Sequence, residues 1–336
     1  MSAGAAGARQ APVTAAAALG RAGDLVAPAL DAAVGRLGAE LREPVLHHLA
    51  GGGKRVRAAL VLVSAAAAGG EEADGLPGAV AIELIHNYSL IHDDIIDGDR
   101  ERRHRPSVWA AFGIGRAIVA GDALATLATQ LLLEAPGPHG VAAAAALAEA
   151  TQAMIEGQSV DMAFETREAI APEECLAMEQ GKTGALLSCA AAMGPILVGA
   201  PPAVVRALSD FGSDLGIAFQ AVDDVLGIWG EPSRTGKPVG SDLVSHKKSL
   251  PIAIALAGPP SAELSRLAAL LDGSLEGAEL AEATALIEAT GARDAVMAVA
   301  EERLAAALAA LDRVPLAERP HAELAAIARF VTERDQ

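Results

Sequence analysis

The amino-acid sequence predicts an all-α protein, and two observations support this fold class. Hydrophobic residues make up 52% of the 336 residues whereas aromatic residues make up only 2%, and a composition rich in alanine, leucine, glutamate and arginine favours helices over strands. Apolar residues also recur at helical spacing from about Ala27 to the C-terminus. We therefore expect one large bundle of about ten or more helices.

Short breakers separate the predicted helices without dividing the chain into domains. In chain order they read GGGK, GGEEADGLPG, EAPGPHG, VGAPP, GEPSRTGKPVGSD and AGPPS, and none has the length of a domain linker. We expect a flexible, alanine-rich leader over residues 1–20 and a single helical domain over residues 21–336. The breaker after Gly230 is the longest polar loop and carries Lys237 and Asp242, so it is a candidate lid over a site.

The bulk chemistry argues against several functional classes. A net charge of −17 disfavours nucleic-acid binding, which needs a basic surface. Cys175 and Cys189 lie in apolar helical segments without metal-ligand spacing, so we expect reduced core thiols and a cytoplasmic protein. The long uncharged run over residues 183–205 is interrupted by glycine and proline. It predicts a buried helix followed by a loop, with no stable membrane insertion.

Two pairs of aspartates interrupt apolar helical segments. Asp93 and Asp97 are four residues apart and face the same way on a helix, and Asp223 and Asp224 form a second pair far away in sequence. Crowded carboxylates in apolar surroundings are unfavourable unless they share a cation. Mg²⁺ accepts such oxygen ligands together with substrate phosphates. The alternative is a solvated acidic helix face, but the apolar neighbours favour Mg²⁺ ions that clamp a polyanion such as a diphosphate.

Basic clusters supply the complementary chemistry. Arginine and lysine side chains suit phosphate oxygens, and the segments GGGKRVR, RERRHR, EQGKTG, TGKPVGSD and SHKKSLP carry them. No segment is specific alone, because GGGKRVR lacks the spacing of a P-loop and a lone lysine pair is commonly solvent-facing. Beside two acid pairs, however, the clusters predict a diphosphate site.

The ordered set of motifs resembles the trans-prenyl diphosphate synthases, the family that includes farnesyl and geranylgeranyl diphosphate synthases. The match runs through GGGKRVR, ELIHNYSLIHDDIID, RR, GD, GQ, KTG, FQAVDD, TGKPVGSDL and KKSLP, from Gly51 to Pro251. The resemblance implies an all-helical fold around a deep central cavity, in a chain that commonly forms homodimers. It also implies Mg²⁺-dependent condensation of isopentenyl diphosphate with an allylic diphosphate to a short-chain prenyl diphosphate.

Carried over by position, the resemblance implies three groups of site residues. The metal ligands would be Asp93, Asp97 and Asp223, with three Mg²⁺ ions expected. The contacts to isopentenyl diphosphate would be Lys54, Arg57, His86 and Arg103. The groups that hold the allylic diphosphate would be Arg102, Lys182, Thr183, Gln220, Lys237 and Lys247. The expected catalytic residues, which stabilise charge on the departing diphosphate, are Asp93, Asp97, Lys182 and Lys237.

Product length would be set by side chains that precede the first aspartate. Tyr88 lies five residues before Asp93, or ~7.5 Å along a helix, and the small Ser89 lies beside it. In the resembled family an aromatic residue here, with an uninterrupted DDIID, is typical of short-chain enzymes. We expect geranylgeranyl diphosphate (C20), with farnesyl diphosphate (C15) next. The alternative is that Tyr88 is an ordinary packed core residue.

The second acid motif departs from the family pattern, because Gly227 stands where a third aspartate is usual. Asp223, Gly227 and Glu231 also fit the looser spacing of class I terpene cyclases, which is a rival interpretation. A cyclase would have no use for Lys54, Arg57 and His86, and few aromatic residues are present to guide a cyclising cation. A third alternative is a non-catalytic subunit that regulates an active partner.

Overall fold

The computed structural model describes residues 13–167, 169–231 and 239–333, and this part of the chain is almost entirely helical. The predicted all-α fold is confirmed. The α-helices of the described residues are α1 Ala15–Val34, α2 Ala39–Leu49, α3 Val56–Ala67, α4 Leu76–Ile96, α5 Val108–Phe112, α6 Ile114–Leu133, α7 Gly140–Phe164, α8 Pro172–Glu179, α9 Ala185–Leu197, α10 Pro202–Trp229, α11 Ser241–Val244, α12 Leu250–Leu256, α13 Ala262–Leu271, α14 Gly277–Ala289, α15 Ala292–Leu311 and α16 Glu318–Thr332.

Three short elements interrupt the helices. A 3₁₀ turn, Glu72–Gly75, precedes α4, and a π-helical turn, Gln180–Gly184, joins α8 to α9. Strands β1 Glu101–Arg102 and β2 Arg105–Pro106 form a small antiparallel hairpin after α4. The π-turn and the hairpin both border the candidate site described below.

The first helix corrects the expected leader. Helix α1 begins at Ala15, so the expectation of a flexible segment is wrong for residues 15–20. Thr14 caps the helix, since its side chain accepts a hydrogen bond from the Ala17 amide. Alanine is the strongest helix former, and Ala15, Ala18 and Ala22 bury one face against the core. Residues 1–12 of the expected leader lie outside the described residues.

Close helix crossings hold the centre of the bundle together. Helix α10 packs along α9 and α15, and α3 packs against α9. A Cβ atom added at Gly194 in α9 would lie 2.3 Å from the Val61 carbonyl oxygen, and one at Gly212 in α10 would lie 2.4 Å from that of Leu187. These backbones touch because no side chain separates them.

Two further expectations concern the apolar segments. The uncharged run over residues 183–205 forms the buried helix α9 followed by a loop and the start of α10, and Cys175 and Cys189 are buried free thiols. Among the described residues, only α6 is long and apolar enough to span a membrane by length and composition. This is weak evidence for a span, since core helices pass the same test, and α6 packs along α4.

The glycine contact between α3 and α9 generates a stability prediction. Gly194→Ala should lower the thermal unfolding midpoint (Tm), because overpacking of a filled contact costs about 1–3 kcal/mol. The matched control is Gly20→Ala in α1, where the added Cβ meets no atom within 4 Å. That change should leave Tm equal or slightly higher. Circular dichroism melting of both variants provides the test, and equal midpoints would contradict the close contact.

Candidate active site

A carboxylate-lined cavity of about 800 Å³ gathers most of the predicted metal and allylic-diphosphate residues. We call it the acid cavity. The predicted residues that line it are Asp93, Asp97, Lys182, Thr183, Gln220, Asp223 and Lys247. The cavity also contains acidic residues to which the sequence motifs assigned no role, namely Asp99, Glu101, Asp161, Glu165, Glu179 and Asp242. Lys237 lies outside the described residues.

The aspartates at the end of α4 lie in two different environments. Asp93 and Asp97 line the acid cavity from the last turn of the helix. Asp94 instead faces inward, where it is fully buried and accepts a hydrogen bond of 2.6 Å from Arg102 Nε. Asp94 therefore anchors the hairpin to α4, while its two neighbours remain available to a ligand.

The two cavity carboxylates of α4 are costly to ionise in the protein alone. The pKa of Asp93 is raised to about 6, mainly by burial; Lys182 opposes the shift and the charge of Asp97 adds to it. Burial likewise raises the pKa of Asp97. A divalent cation would remove this repulsion, and carboxylate oxygens are the ligands that Mg²⁺ prefers. The donor set of the acid cavity therefore fits Mg²⁺.

The described part of the chain does not enclose a metal ion by itself. Within the described residues, no group of three or more histidine, cysteine, aspartate or glutamate side chains could hold one. Mg²⁺ typically binds through one or two carboxylates and completes its shell with waters and substrate phosphates. The geometry therefore suits ions that bind together with a diphosphate.

The π-turn delivers two polar side chains to the acid cavity. Lys182 Nζ lies 2.5 Å from Asp161 Oδ2, and Thr183 Oγ1 donates to Gln220 Oε1 at 2.9 Å. A Cβ atom at Gly157 of α7 would lie 2.3 Å from the Lys182 amide nitrogen. Gly157, part of the GQ motif, thus allows α7 to approach the π-turn and sets the position of Lys182.

The second aspartate pair does not face the cavity as a pair, which corrects that expectation. Asp223 lines the acid cavity, but Asp224 is buried behind it because consecutive helical residues point about 100° apart. Asp224 accepts hydrogen bonds from Gln220 Nε2 at 2.8 Å, Lys247 Nζ at 3.2 Å and the Leu250 amide at 3.0 Å. It acts as the buried counter-ion of the site.

Asp224 controls the charge of its neighbours. Burial alone would lower the pKa of Lys247, but the charges of Asp224 and Asp242 outweigh it and hold that pKa well above its usual value. Burial and the charge of Asp224 raise the pKa of Glu179 well above its usual value. The surroundings of Glu179 therefore favour its protonated form, whereas those of Lys247 favour its positive charge.

A second cavity of about 500 Å³ collects the cations, and we call it the basic cavity. Its polar lining includes Lys54, Arg55, Arg57, His86, Arg102 and Arg103. These comprise all four predicted contacts to isopentenyl diphosphate, together with Arg102, which the resemblance assigned to the allylic diphosphate. Helices α4 and α10 and the hairpin contribute to both cavities, so the two sites share walls.

Burial affects the protonation of side chains in the basic cavity. Burial and the nearby charges of Arg57 and Arg103 hold the pKa of His86 well below its usual value, so its imidazole is neutral. Arg55 is satisfied by Glu83, whose carboxylate lies 2.6 Å away. An anionic ligand would relieve the repulsion among the remaining cations.

The hairpin turn positions Arg103 over the glycine loop. Arg103 and His104 both adopt positive φ angles, 52° and 60°, a conformation that is uncommon outside glycine and that often occurs at functional sites. A Cβ atom at Gly53 would lie 3.3 Å from Arg103 Nη2. The GGGK segment therefore leaves space for the Arg103 guanidinium.

Tyr88 packs at the α4–α6 contact, one turn before the DDIID motif. Its ring meets the His92 ring edge-on at 4.8 Å, and His92 Nε2 lies 3.0 Å from the Ile118 carbonyl oxygen. A Cβ atom at Gly121 would lie 2.3 Å from His92 Nε2, so the GD motif makes room for this ring. Ser89 Oγ donates to the His86 carbonyl oxygen at 2.9 Å.

An all-helical bundle with a basic cavity beside a carboxylate cavity is the architecture of an isoprenoid synthase that handles diphosphates. Residues 39–287 match the family model described as polyprenyl synthetase. The chain belongs to this polyprenyl synthetase family. It is a prenyltransferase of the short-chain type, as its relatives indicate.

The similar proteins include enzymes of both expected product lengths. A (2E,6E)-farnesyl diphosphate synthase of Mycobacterium tuberculosis is 44% identical over 331 residues, covering 94% of this chain and 92% of the relative. A geranylgeranyl diphosphate synthase of the same organism is 42% identical over 262 residues, covering 77% of this chain and 75% of the relative.

Solved structures share the fold. A polyprenyl synthetase from Streptomyces coelicolor superposes with a TM-score of 0.90 at 42% identity, covering 94% of this chain and 98% of that one. A geranylgeranyl pyrophosphate synthase from Corynebacterium glutamicum, complexed with isoprenyl diphosphate and magnesium, has a TM-score of 0.83 at 28% identity, covering 96% and 100%.

The raised carboxylate pKa values generate a prediction for metal binding. Affinity for Mn²⁺, measured calorimetrically with inorganic pyrophosphate present, should fall between about pH 7.5 and about pH 5.5, because the metal must displace protons from Asp93 and Asp97. Below the Asp93 pKa of about 6, the loss should approach ~10-fold per pH unit for each proton displaced. Asp93→Asn should flatten this dependence. Equal affinities across the range would contradict the assignment.

Proposed function

We propose that this chain catalyses the Mg²⁺-dependent condensation of isopentenyl diphosphate with an allylic diphosphate, and that its main product is geranylgeranyl diphosphate. The observation that carries this proposal is the pair of adjoining cavities with opposite lining. A condensing enzyme needs two diphosphate sites, one for the substrate that ionises and one for the substrate that attacks.

Each cavity suits one substrate. In the basic cavity, Lys54, Arg57 and Arg103 neutralise the diphosphate of isopentenyl diphosphate, and His86 donates a hydrogen bond from its neutral ring. In the acid cavity, Lys182 and Lys247 contact the allylic diphosphate. The polar groups that complete this second site are Arg102, Thr183, Gln220 and Lys237, and the metal ligands are Asp93, Asp97 and Asp223, which we propose hold three Mg²⁺ ions.

The chemistry follows from this charge distribution. When bound, Mg²⁺ neutralises diphosphate oxygens and makes the group a better leaving group. Lys182 and Lys247 stabilise the charge that develops as the allylic carbon–oxygen bond breaks. Apolar side chains such as Leu90 and Phe219, which line the shared wall, exclude water from the allylic cation. The isopentenyl double bond then attacks, and a proton is lost to the released diphosphate.

Our proposal for the product length is based on the position of Tyr88. Its ring lies on α4 before Asp93, where a chain that grows away from the metal site would meet it. The half-buried ring is held by its contact with His92, so it can act as a floor at C20. Farnesyl diphosphate is the second candidate, which is favoured by the 44% identity to a farnesyl diphosphate synthase.

We also propose a homodimer in the cytoplasm, with the chain from helix α1 onward as a single domain. Helices α6 and α7 expose several large apolar side chains to solvent, among them Ile114, Leu133 and Val141, which are 53%, 56% and 70% exposed. A second copy of the chain would cover this surface. The buried free thiols suit a reducing compartment.

Product identification tests the proposed activity. The purified chain with Mg²⁺ should give linear diphosphates from dimethylallyl, geranyl or farnesyl diphosphate only when isopentenyl diphosphate is added, and Asp93→Ala should abolish this turnover. Cyclic hydrocarbons formed without isopentenyl diphosphate would instead identify a terpene cyclase. A chain that is inactive alone and activates a partner would be a regulatory subunit.

The floor assignment predicts a change in product spectrum. Tyr88→Ala should lengthen the products beyond C20, because the growing chain would no longer meet a ring beside His92. Tyr88→Phe is the matched control, since it keeps the ring and should keep the wild-type product. Chromatography of the dephosphorylated products measures both variants. An unchanged spectrum in Tyr88→Ala would place the floor elsewhere.

A further inference from the structure

A buried carboxylate lies in the cavity that otherwise collects cations. Glu83 of α4 is 3% exposed and lines the basic cavity. Its Oε2 atom accepts a hydrogen bond of 2.6 Å from Arg55 Nη1. A negative charge at this position weakens the binding of an anionic ligand by electrostatics alone. A favourable contribution of Glu83 to such a site can therefore come only from the residues that it holds in place.

The partner of Glu83 has an uncommon backbone conformation. Arg55 adopts a φ angle of 54° and a ψ angle of 31°, the left-handed region, which costs free energy for a residue with a long side chain. Arg55 is the N-cap residue of α3, and its side chain makes no capping hydrogen bond to that helix. Such a conformation persists only where surrounding contacts stabilise it. The ion pair with Glu83 is a contact of this kind.

Arg55 lies between two of the proposed contacts to isopentenyl diphosphate. Lys54 precedes it, and Arg57 is the second residue of α3. Because φ and ψ are the soft torsions of the backbone, their values at residue 55 set the direction of Lys54 relative to the helix that carries Arg57. Arg57 Nε is buried and has no hydrogen-bond partner within the described residues, so it can donate to a ligand.

Glu83 also connects this segment to His86. The two residues are three positions apart in α4 and therefore lie on the same face of that helix. The ion pair between Arg55 and Glu83 thus joins the start of α3 to the part of α4 that carries His86. This contact holds the cations of one helix and the imidazole of the other in a fixed relation.

We propose that Glu83 is a positioning residue for isopentenyl diphosphate: by pairing with Arg55 it stabilises the left-handed backbone at the start of α3 and so orients Lys54 and Arg57 toward the diphosphate. This inference rests on the proposed function and adds to it a residue that does not contact the substrate. Arg55 is the link between Glu83 and the two cations.

Binding and kinetics together test this role. In calorimetry with isopentenyl diphosphate and no metal, Glu83→Gln should weaken the affinity by about 10-fold, because fewer molecules keep the left-handed conformation at residue 55. In steady-state kinetics the same variant should raise KM for isopentenyl diphosphate by a similar factor. Its KM for the allylic diphosphate should stay within about two-fold of the wild-type value.

The matched control is Glu323→Gln. Glu323 is 2% exposed and accepts a hydrogen bond of 2.8 Å from Arg21 Nη2, and it lines neither cavity. This variant weakens an ion pair of similar burial. It should bind isopentenyl diphosphate like the wild type, even if its Tm falls.

A second variant keeps the proposal testable if Glu83→Gln lowers Tm. Asparagine adopts the left-handed conformation more readily than arginine does. Arg55→Asn combined with Glu83→Gln therefore keeps the backbone conformation without an ion pair. Recovery of the affinity to within about three-fold of the wild type supports the proposal, and an affinity as weak as that of Glu83→Gln alone overturns it.

Three further results would contradict the positioning role. Unchanged affinity in Glu83→Gln would mean that the ion pair does not orient the cations. Tighter binding would show that Glu83 acts on the ligand only through its charge. An equal rise in KM for both substrates would indicate a general loss of structure.

The proposed function is judged separately from Glu83. Wild-type protein that binds isopentenyl diphosphate but forms no linear product would refute the condensation activity, and the calorimetry would still decide the role of Glu83. Wild-type protein that does not bind isopentenyl diphosphate would refute both. Active wild-type protein with unchanged binding and KM in Glu83→Gln would refute only the role of Glu83.

Discussion

The charge of Asp224 is the constraint on which the acid cavity depends. A carboxylate that is buried this deeply is stable only if every donor around it is in place. Lys247, Gln220 and the Leu250 amide meet this demand. Gln220 in turn accepts from Thr183, so one buried charge fixes the relative positions of α10, α12 and the π-turn.

Each cavity holds several side chains of like charge, negative in the acid cavity and positive in the basic cavity. In the acid cavity, burial raises the pKa values of Asp93 and Asp97, neighbouring carboxylates add to the shift, and a cation would relieve the repulsion. In the basic cavity, arginines are crowded around a neutral His86, and an anion relieves it. Each cavity therefore favours a ligand of the opposite charge.

The sequence predicted the fold class and those site residues whose partners are local. Asp93 and Asp97 could be paired from their spacing because one helical turn separates them, and composition alone indicated an all-α fold. The contacts of Asp161 and Asp224 could not be predicted, because their partners Lys182, Lys247 and Leu250 lie on segments that are distant in sequence. The start of α1 at Ala15 was not predicted, because an alanine-rich segment resembles a flexible leader in sequence and only the structure shows that one of its faces is buried.

The π-turn at Gln180–Gly184 makes the site sensitive to chain length as well as to residue type. An α-helix advances about 100° per residue, and the π-turn takes up one additional residue between α8 and α9. Deleting one residue there would restore regular helix and change the directions in which the lysine and threonine of the KTG motif point. Insertions and deletions at this turn are therefore far more restricted than substitutions on the outer faces of the same helices.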